Sequence, residues 1–492
     1  MDTQTENEYR QQRLDNMAAL KELGYTPFGH AFEISANLGA IRADFEEERQ
    51  VRAAGRLMTV RDMGKSIFAD IRDGSDRFQV FIAKKAIGEA AFDAFKLLDM
   101  GDHVGVEGAL FTTRTGESTI KVSTWSLLSK ALLPLPDKWA GLQDTEARYR
   151  QRYLDLISNI PSRELFIQRS HMVREVRAYL GEQDFLEVET PMMQPQAGGA
   201  AARPFVTRYE ALSTDMFLRI APELYLKRLL VGGMDRVFEL NRNFRNEGLS
   251  RTHNPEFTML EVYQAYSDAR GMQRLIEGLI VHLAENVFGG LQVGTEEKPL
   301  DLTPPFREVT YRELIIERMG EGWYDLPLED ARTKAEAEGL TLDPEWDMMM
   351  VSHEVYEKLV EKTLWNPTFV TRVPAALIPL AKACEDEPES ADVFELVICG
   401  SEIAPGYTEM NDPIEQRLRL SGQAGEFREK LDEDFLTALE HGMPPAGGMG
   451  VGIDRLFMIF SGAEAIRDVI LFPQLKPLSS ARGQPEGRHS EG

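Results

Sequence analysis

The chain has 492 residues and a formal net charge of −25. Its length exceeds one ordinary domain, so two or three are expected, and its acidity counts against a general nucleic-acid coat protein, because grip on a phosphate backbone comes from Lys and Arg, while leaving room for an RNA partner on local basic faces. A hydrophobic content of 43% is that of a soluble globular protein, and no run approaches the roughly 18 apolar residues of a membrane span.

The opening MDTQTENEYRQQR has no apolar core after it and carries acids, so it reads neither as a secretory signal nor as a transit peptide. The two cysteines, Cys384 and Cys399, form no metal-ligand pair and fit a reducing compartment as two small buried hydrophobes. Residues 1–50 read as a short polar helix and a linker, with scattered apolar positions such as Met17, Leu20 and Tyr25.

Residues 51–130 change character. Val51–Met58, Ser66–Ile71, Phe78–Ile82, Asp102–Phe111 and Ser118–Trp125 read as five short strands, with glycines near the breaks. A helix over Ile87–Leu98 falls between the third and fourth. That order is the pattern of an OB-fold, a small Greek-key barrel that binds oligonucleotides or serves as a protein-binding module. Residues 131–160 then link the barrel to the rest, and their cluster Arg148, Arg150, Arg152 suits either a nucleic-acid face or a solvated helix.

From residue 161 the spacing predicts a helix, capped by Ser162, whose Leu165, Met172, Val176 and Tyr179 form one apolar stripe. A strand over Phe185–Val188 follows. Gly198 and Gly199 permit close backbone approach to a small ligand. Glu223, in Ala-Pro-Glu-Leu, is an acid amid apolar neighbours at a helix start.

Residues 237–266 read as two strands joined by a polar loop. Phe238, Leu240 and Phe244 share one side; Glu239, Asn241, Asn243, Arg245 and Glu247 take the other. In the second arm Phe257, Met259, Glu261 and Tyr263 line one face, and the loop holds Arg251, His253 and Asn254. Such faces suit an anionic, planar, polyphosphorylated ligand: Arg forks onto phosphate, Phe257 offers a stacking face, and Glu247 accepts from an exocyclic amine. A solvated hairpin with ordinary ion pairs fits the periodicity equally well.

Residues 300–380 read as a helical insertion, with polar helices such as Leu328–Glu338 and His353–Thr363 and no chemistry in view. In residues 392–413, a tight turn at Gly400-Ser401 would pair Cys399 with Glu402 and set Glu395 on the same face as Glu402. Two carboxylates on one face repel unless solvated or bridged by a cation, and magnesium carrying nucleotide phosphates is the obvious one. A bulge at Ala404-Pro405-Gly406 would bring Glu409 round to that face. Finally, glycines 447, 448, 450 and 452 let a strand press against a ligand, and Arg455 opens the next helix. A dinucleotide-binding loop would need a βαβ unit afterwards, and too little chain remains. Residues 478–492 read as a disordered tail.

In this order, FRNEG, THNPEF and the strand with Glu261 and Tyr263 resemble motif 2 of the class II aminoacyl-tRNA synthetases; Leu186–Pro191 resembles motif 1, and GGMGVGIDR resembles motif 3. The match is nearest to the lysyl-tRNA synthetases and covers roughly residues 50–477. It implies an α+β multidomain protein: an N-terminal OB-fold reading the anticodon through Phe68, Gln79 and Glu117, then an antiparallel class II catalytic domain over 161–477 with its insertion at about 300–380. It implies ATP-dependent activation of L-lysine, transfer to tRNA(Lys), magnesium on Glu395 and Glu402, a homodimer through motif 1 and a cytoplasmic location. Arg245 would hold the α-phosphate and Arg455 the γ-phosphate, with Glu247, His253, Asn254 and Phe257 on the rest of the nucleotide. The lysine pocket would comprise Gly199, Glu223, Glu261, Tyr263, Tyr407 and Glu409, since an ammonium needs acceptors and at least one must be charged. One departure is Pro405, where many members have Asn. An aspartyl- or asparaginyl-tRNA synthetase shares the architecture but needs a cation where this chain offers Glu261 and Glu409. A paralogue modifying an elongation factor lacks the OB-fold, and a non-enzymatic nucleic-acid binder needs no Glu395/Glu402 pair.

Overall fold

A computed structural model describes residues 3–136, 142–200, 202–294, 298–423 and 431–477. The tail assigned to disorder, and part of the linker, lie outside these residues. The chain divides into two compact units, Met1–Asp144 and Thr145–Gly492.

In the first unit five strands close into a ring: β1 (Gln50–Asp62), β2 (Ser66–Arg72), β3 (Arg77–Ala83), β4 (His103–Thr112) and β5 (Ser118–Ser129), in the order β1-β2-β3-β5-β4. Alternation sends Ile67, Ala69, Ile71, Phe78, Val80, Ile82, Ile120 and Val122 inward, all essentially without exposure. Apart from Ala69, these are the β-branched and aromatic residues that fit a pleated, half-buried surface. The single helix expected between the third and fourth strands is two. Lys84–Ile87 and Glu89–Phe95 are separated by Gly88 at φ 86°, a conformation open to glycine and closed to most residues. The N-terminal helix Thr3–Glu22 buries Leu20, and Arg13 donates to the carbonyls of Met100, Ala131 and Leu133.

The second unit is built on eight strands: β6 (Leu186–Glu187), β7 (Arg236–Phe244), β8 (Glu256–Ala265), β9 (Arg307–Thr310), β10 (Thr368–Thr371), β11 (Val393–Ile398), β12 (Ser401–Thr408) and β13 (Ala446–Gly452). Their order is β9-β10-β11-β12-β13-β8-β7-β6. Every neighbouring pair is antiparallel except β9/β10 and β7/β6. Helices Ile160–Gly181 and Ala269–Val287 supply the apolar layer against one face. Met272, Leu275, Ile276, Leu279, Ile280 and Leu283, spaced three and four apart, pack with Met172 and Val176 onto Phe238, Leu260 and Val262. The opposite face of the central strands is thereby free for polar groups.

Two local expectations are corrected. Ser162 does not cap the helix: it begins at Ile160 with Pro161 in its first turn, where the missing N–H costs nothing, and Ser162 is buried, accepting from Arg148 and donating to Asp155. In the basic cluster, Arg152 is buried against Asp155 and the Leu471 carbonyl, and Arg148 pairs with the same Asp155. Arg150 is held as well, pairing with Glu146 and donating to the Lys476 carbonyl at 2.6 Å, so the plain solvated-face reading fits none of the three.

Candidate functional site

The hairpin β7–β8 fixes the site by register. Glu239 lies opposite Glu261, Asn241 opposite Met259, and Asn243 opposite Phe257. Period-two alternation therefore puts Glu239, Asn241, Asn243, Phe257, Glu261 and Tyr263 on one face, as read from the sequence, while Phe238, Leu240, Leu260 and Val262 go to the core. The Oδ1 atoms of Asn241 and Asn243 are buried with no hydrogen-bond partner, so this face carries acceptors that only a ligand or solvent satisfies.

At the loop end of the hairpin lies a cavity of ≈ 230 Å³. Arg245, Glu247, His253, Asn254, Phe257 and Arg455 all line it, together with Glu402 and Pro405. Arg245 stacks over the Phe257 ring, 5.1 Å from its centroid, and its Nε has no hydrogen-bond partner. Burial lowers its pKa, with Glu247, Glu261 and Glu402 acting against that; a guanidinium remains charged regardless. Arg455 donates from Nη1 to the Glu402 carbonyl at 3.1 Å and from Nη2 to His253 Nε2 at 3.0 Å. That assigns the imidazole proton to Nδ1, which lies 2.8 Å from Ser250 Oγ. Partial burial, then the Arg455 charge, hold His253 below its ordinary pKa. Two guanidiniums at one cavity, one of them with an open donor, can bind a polyphosphate; Phe257 backs the first.

The acids of β11 and β12 share a face, for a reason different from the one expected. The turn is Cys399-Gly400, both at positive φ (53° and 68°), as a two-residue hairpin of the primed type requires. Ile398 thus pairs with Ser401, and Glu402 with Val397. The bulge falls at Ile403, since Ala404 already pairs with Leu396. That extra residue sets Glu402, Pro405, Tyr407 and Glu409 on one side with Glu395. Burial and the Glu402 charge push Glu395 up to about 8, and burial raises Glu402, opposed by Arg455 and Arg245. Two oxygen ligands that resist joint ionisation fit a hard divalent cation between them. Among the described residues no group of three or more His, Cys, Asp or Glu is arranged to hold a metal. The insertion, read as free of chemistry, enters here. A π-helical turn, Tyr356–Val360, carries Tyr356, whose hydroxyl donates to Glu395 at 3.2 Å. Glu361 follows it and accepts from the Glu402 N–H at 2.9 Å.

A second polar cluster lies on the same face. Glu223, Glu261, Tyr263 and Glu409 are all buried, Tyr263 donates to Glu261 at 3.1 Å, and a Cβ on Gly199 (φ +85°) would lie 3.2 Å from Glu223 Cβ. Burial, then Glu223, hold Glu261 well above an ordinary carboxylate. Burial pushes Glu409 up to about 7 against the pull of Lys227. Tyr407 is held far above its usual value by burial and then by Glu223 and the other acids. Space for the cluster comes from glycine: a Cβ on Gly448 would sit 2.1 Å from Glu409 Oε1 and 2.5 Å from Tyr263 Cε1.

Sequence reasoning missed two buried cations here. Arg219 pairs with Glu239 at 2.6 Å, and Lys227 pairs with Glu223 at 2.7 Å and Glu409 at 2.5 Å. It also missed Asp454, which accepts from the Thr258 N–H at 2.7 Å and from Arg169 at 2.5 Å, fastening the helix of Arg455 to β8.

In the five-stranded unit Phe68 and Gln79 lie on the outer side of β2 and β3, and Gln79 accepts from Thr119 at 2.9 Å. Glu117 stands just before β5. Phe68 packs on Phe81 (4.8 Å between centroids) and Phe81 on Phe111 (5.9 Å), a half-exposed aromatic strip. The alternation of β3 and β4 already carried the signal for Phe81 and Phe111.

The chain matches the family of class II tRNA synthetases (D, K and N) over residues 144–476, and the OB-fold nucleic acid binding domain over residues 51–128. It is 46% identical to a lysine–tRNA ligase of Moorella thermoacetica over 486 residues, covering 97% of this chain and 99% of that one. It is 48% identical to one of Syntrophomonas wolfei (96% and 98% covered) and 45% identical to one of Staphylococcus haemolyticus (96% and 99%).

Proposed function

Because the chain belongs to the lysine–tRNA ligase family of the class II tRNA synthetases, we propose that the two clusters on the face of β7, β8 and β12 are its ATP and lysine sites. The enzyme joins lysine to tRNA at the expense of ATP, through lysyl-adenylate. No protein nucleophile is required. The lysine carboxylate attacks the α-phosphorus, and the protein positions both substrates and offsets the developing charge. Arg245 holds the α-phosphate and Arg455 the γ-phosphate, each through charge-assisted hydrogen bonds. Phe257 stacks on the adenine, and Glu247, His253 and Asn254 complete the nucleotide site.

The observation that carries this reading is the acid cluster beside the phosphate cavity: three buried carboxylates, Glu223, Glu261 and Glu409, meet one buried lysine, Lys227, so acceptors remain for a substrate's ammonium. Tyr263 and Tyr407 flank the side chain, and Glu223, Glu261 and Gly199 serve the α-amino end. Glu395 and Glu402 are the residues that would hold magnesium, which when bound neutralises phosphate charge. Phe68, Gln79 and Glu117 contact the anticodon, Phe68 by stacking. The region of β6 and the helix before it forms a homodimer interface, and the enzyme works in the cytoplasm. No helix among the described residues is long and apolar enough to cross a membrane.

The test is ATP–pyrophosphate exchange across the amino acids, followed by tRNA charging. Lysine-dependent exchange and charging of tRNA(Lys) support the assignment. Exchange with aspartate or asparagine instead would overturn it.

A further inference from the structure

Lys227 stands one turn after Glu223 on the helix Glu223–Val231, and its side chain has no exposure. Its ammonium donates to Glu223 Oε1 at 2.7 Å and to the Leu380 carbonyl at 3.4 Å. It also pairs with Glu409 Oε2 at 2.5 Å, and one ammonium cannot fill the acceptor sites of two carboxylates, so lone pairs remain for a further donor. A substrate pocket has thus placed its own cation among the carboxylates that a cationic substrate would use.

The charges around it explain why. Four buried acids face the pocket: Glu223, Glu239, Glu261 and Glu409. Arg219 takes Glu239. Glu261, partnered by the Tyr263 hydroxyl, is held far toward its neutral form by burial and by Glu223. Glu223 and Glu409 remain, and two buried carboxylates this close cannot both stay ionised unaided.

We propose that Lys227 is a positioning residue for amino-acid selectivity: it bridges Glu223 and Glu409 and so keeps Glu409 an ionised carboxylate with acceptor sites to spare, so that a side-chain ammonium is read at Glu409. This rests on the lysine reading of the site. Without Lys227, Glu223 and Glu409 share a proton, and an incoming ammonium must displace it. Glu409 is pushed up to about 7 by burial although Lys227 already opposes that rise, so removing Lys227 moves it higher. Lysine, which needs the ionised form, then binds more weakly at every pH below the new value and recovers above it. The other groups facing Glu409 are Tyr263 and Tyr407, both kept protonated by burial.

The experiment measures lysine affinity by calorimetry and lysine KM by pyrophosphate exchange from pH 6 to 8.5. It compares the wild-type enzyme with Lys227→Met and Lys227→Arg. Wild-type affinity is expected to rise through about pH 7. In Lys227→Met it should fall at least tenfold at pH 7, with its midpoint one pH unit or more higher and the ATP KM moving far less. Lys227→Arg, which keeps the charge, should restore the midpoint. A folded Lys227→Met protein with the wild-type midpoint would overturn the proposal. If Lys227→Met does not fold, Lys227→Gln, which also lacks the charge but keeps a hydrogen-bond donor for Glu223, takes its place and should show the same raised midpoint. Lysine affinity lost at all pH values, or loss of fold in both variants, makes Lys227 a folding residue and overturns the proposal. A wild-type enzyme that exchanges with another amino acid instead overturns the lysine reading itself.

Discussion

The Arg455 guanidinium donates to His253 Nε2 at 3.0 Å, joining the helix that follows the glycine strand to the loop of the β7–β8 hairpin. The imidazole occupies a donor that a phosphate oxygen would take, so the contact keeps the guanidinium extended over the cavity before nucleotide arrives. Arg455→Ala and Arg245→Ala should each lose adenylate formation while the fold persists. A charge-assisted phosphate contact is worth roughly 1.5–3 kcal/mol, so the loss in exchange rate should be about tenfold or more. Wild-type exchange in either folded variant would remove that arginine from the phosphate site.

Gly448→Ala should damage the amino-acid site selectively. The added methyl would arrive 2.1 Å from Glu409 Oε1 and 2.5 Å from Tyr263, and overpacking of this kind costs about 1–3 kcal/mol. The expected outcome is a lysine KM raised about tenfold with a much smaller change in the ATP KM. Equal movement of both constants would mean that Gly448 serves the sheet and not the pocket.

Glu402→Gln should separate stability from metal use. The Glu402 charge raises the pKa of Glu395, so replacing Glu402 by its neutral isostere relieves repulsion in the metal-free protein. Thermal unfolding without divalent ions should therefore occur at an equal or higher Tm, while the Mg2+ concentration for half-maximal exchange rises several-fold. A lower Tm with unchanged Mg2+ dependence would show the Glu402 carboxylate to be a structural counter-charge for Arg455 and Arg245.

Phe68→Ala tests the outer aromatic strip. A stacked base is worth about 1–3 kcal/mol, so charging of tRNA should weaken by roughly tenfold, read against pyrophosphate exchange, which needs no tRNA. Phe68 is half-buried and rests on Phe81. If its removal instead melts the five-stranded unit, seen as an early unfolding step, the ring is packing and not a platform.

Much of this was legible because strand alternation is a local code. Two residues per repeat sufficed to sort Phe238 and Leu240 from Glu239 and Asn243, and to put Phe257, Glu261 and Tyr263 on one face. The β11–β12 acids came out on the correct face from a wrong turn. Cys399 in the left-handed region is uncommon for a non-glycine residue, so Gly400-Ser401 looked the better corner, but moving the corner by one residue re-pairs Glu402 with Val397 instead of Cys399, two positions along, which keeps it on the same side. Lys227 was invisible for a different reason. Four residues after Glu223 on a helix, it reads as an ordinary surface pair, and only packing takes both out of water. Tyr356 and Glu361 were hidden by distance along the chain, 39 and 41 residues from the acids they touch.

The single unpaired residue Ile403 also bears on how this sequence can change over generations. It is out of step with the neighbouring strand, while Glu402, Pro405, Tyr407 and Glu409 share a side around it. Removing Ile403 itself would leave Glu402 opposite Val397 and Ala404 opposite Leu396 with nothing between them, so plain alternation would hold every one of these side chains where it is. The strand can therefore lose that one residue without re-sorting its faces. Descendants of the chain should tolerate a one-residue shortening at this place better than anywhere else between Ser401 and Thr408.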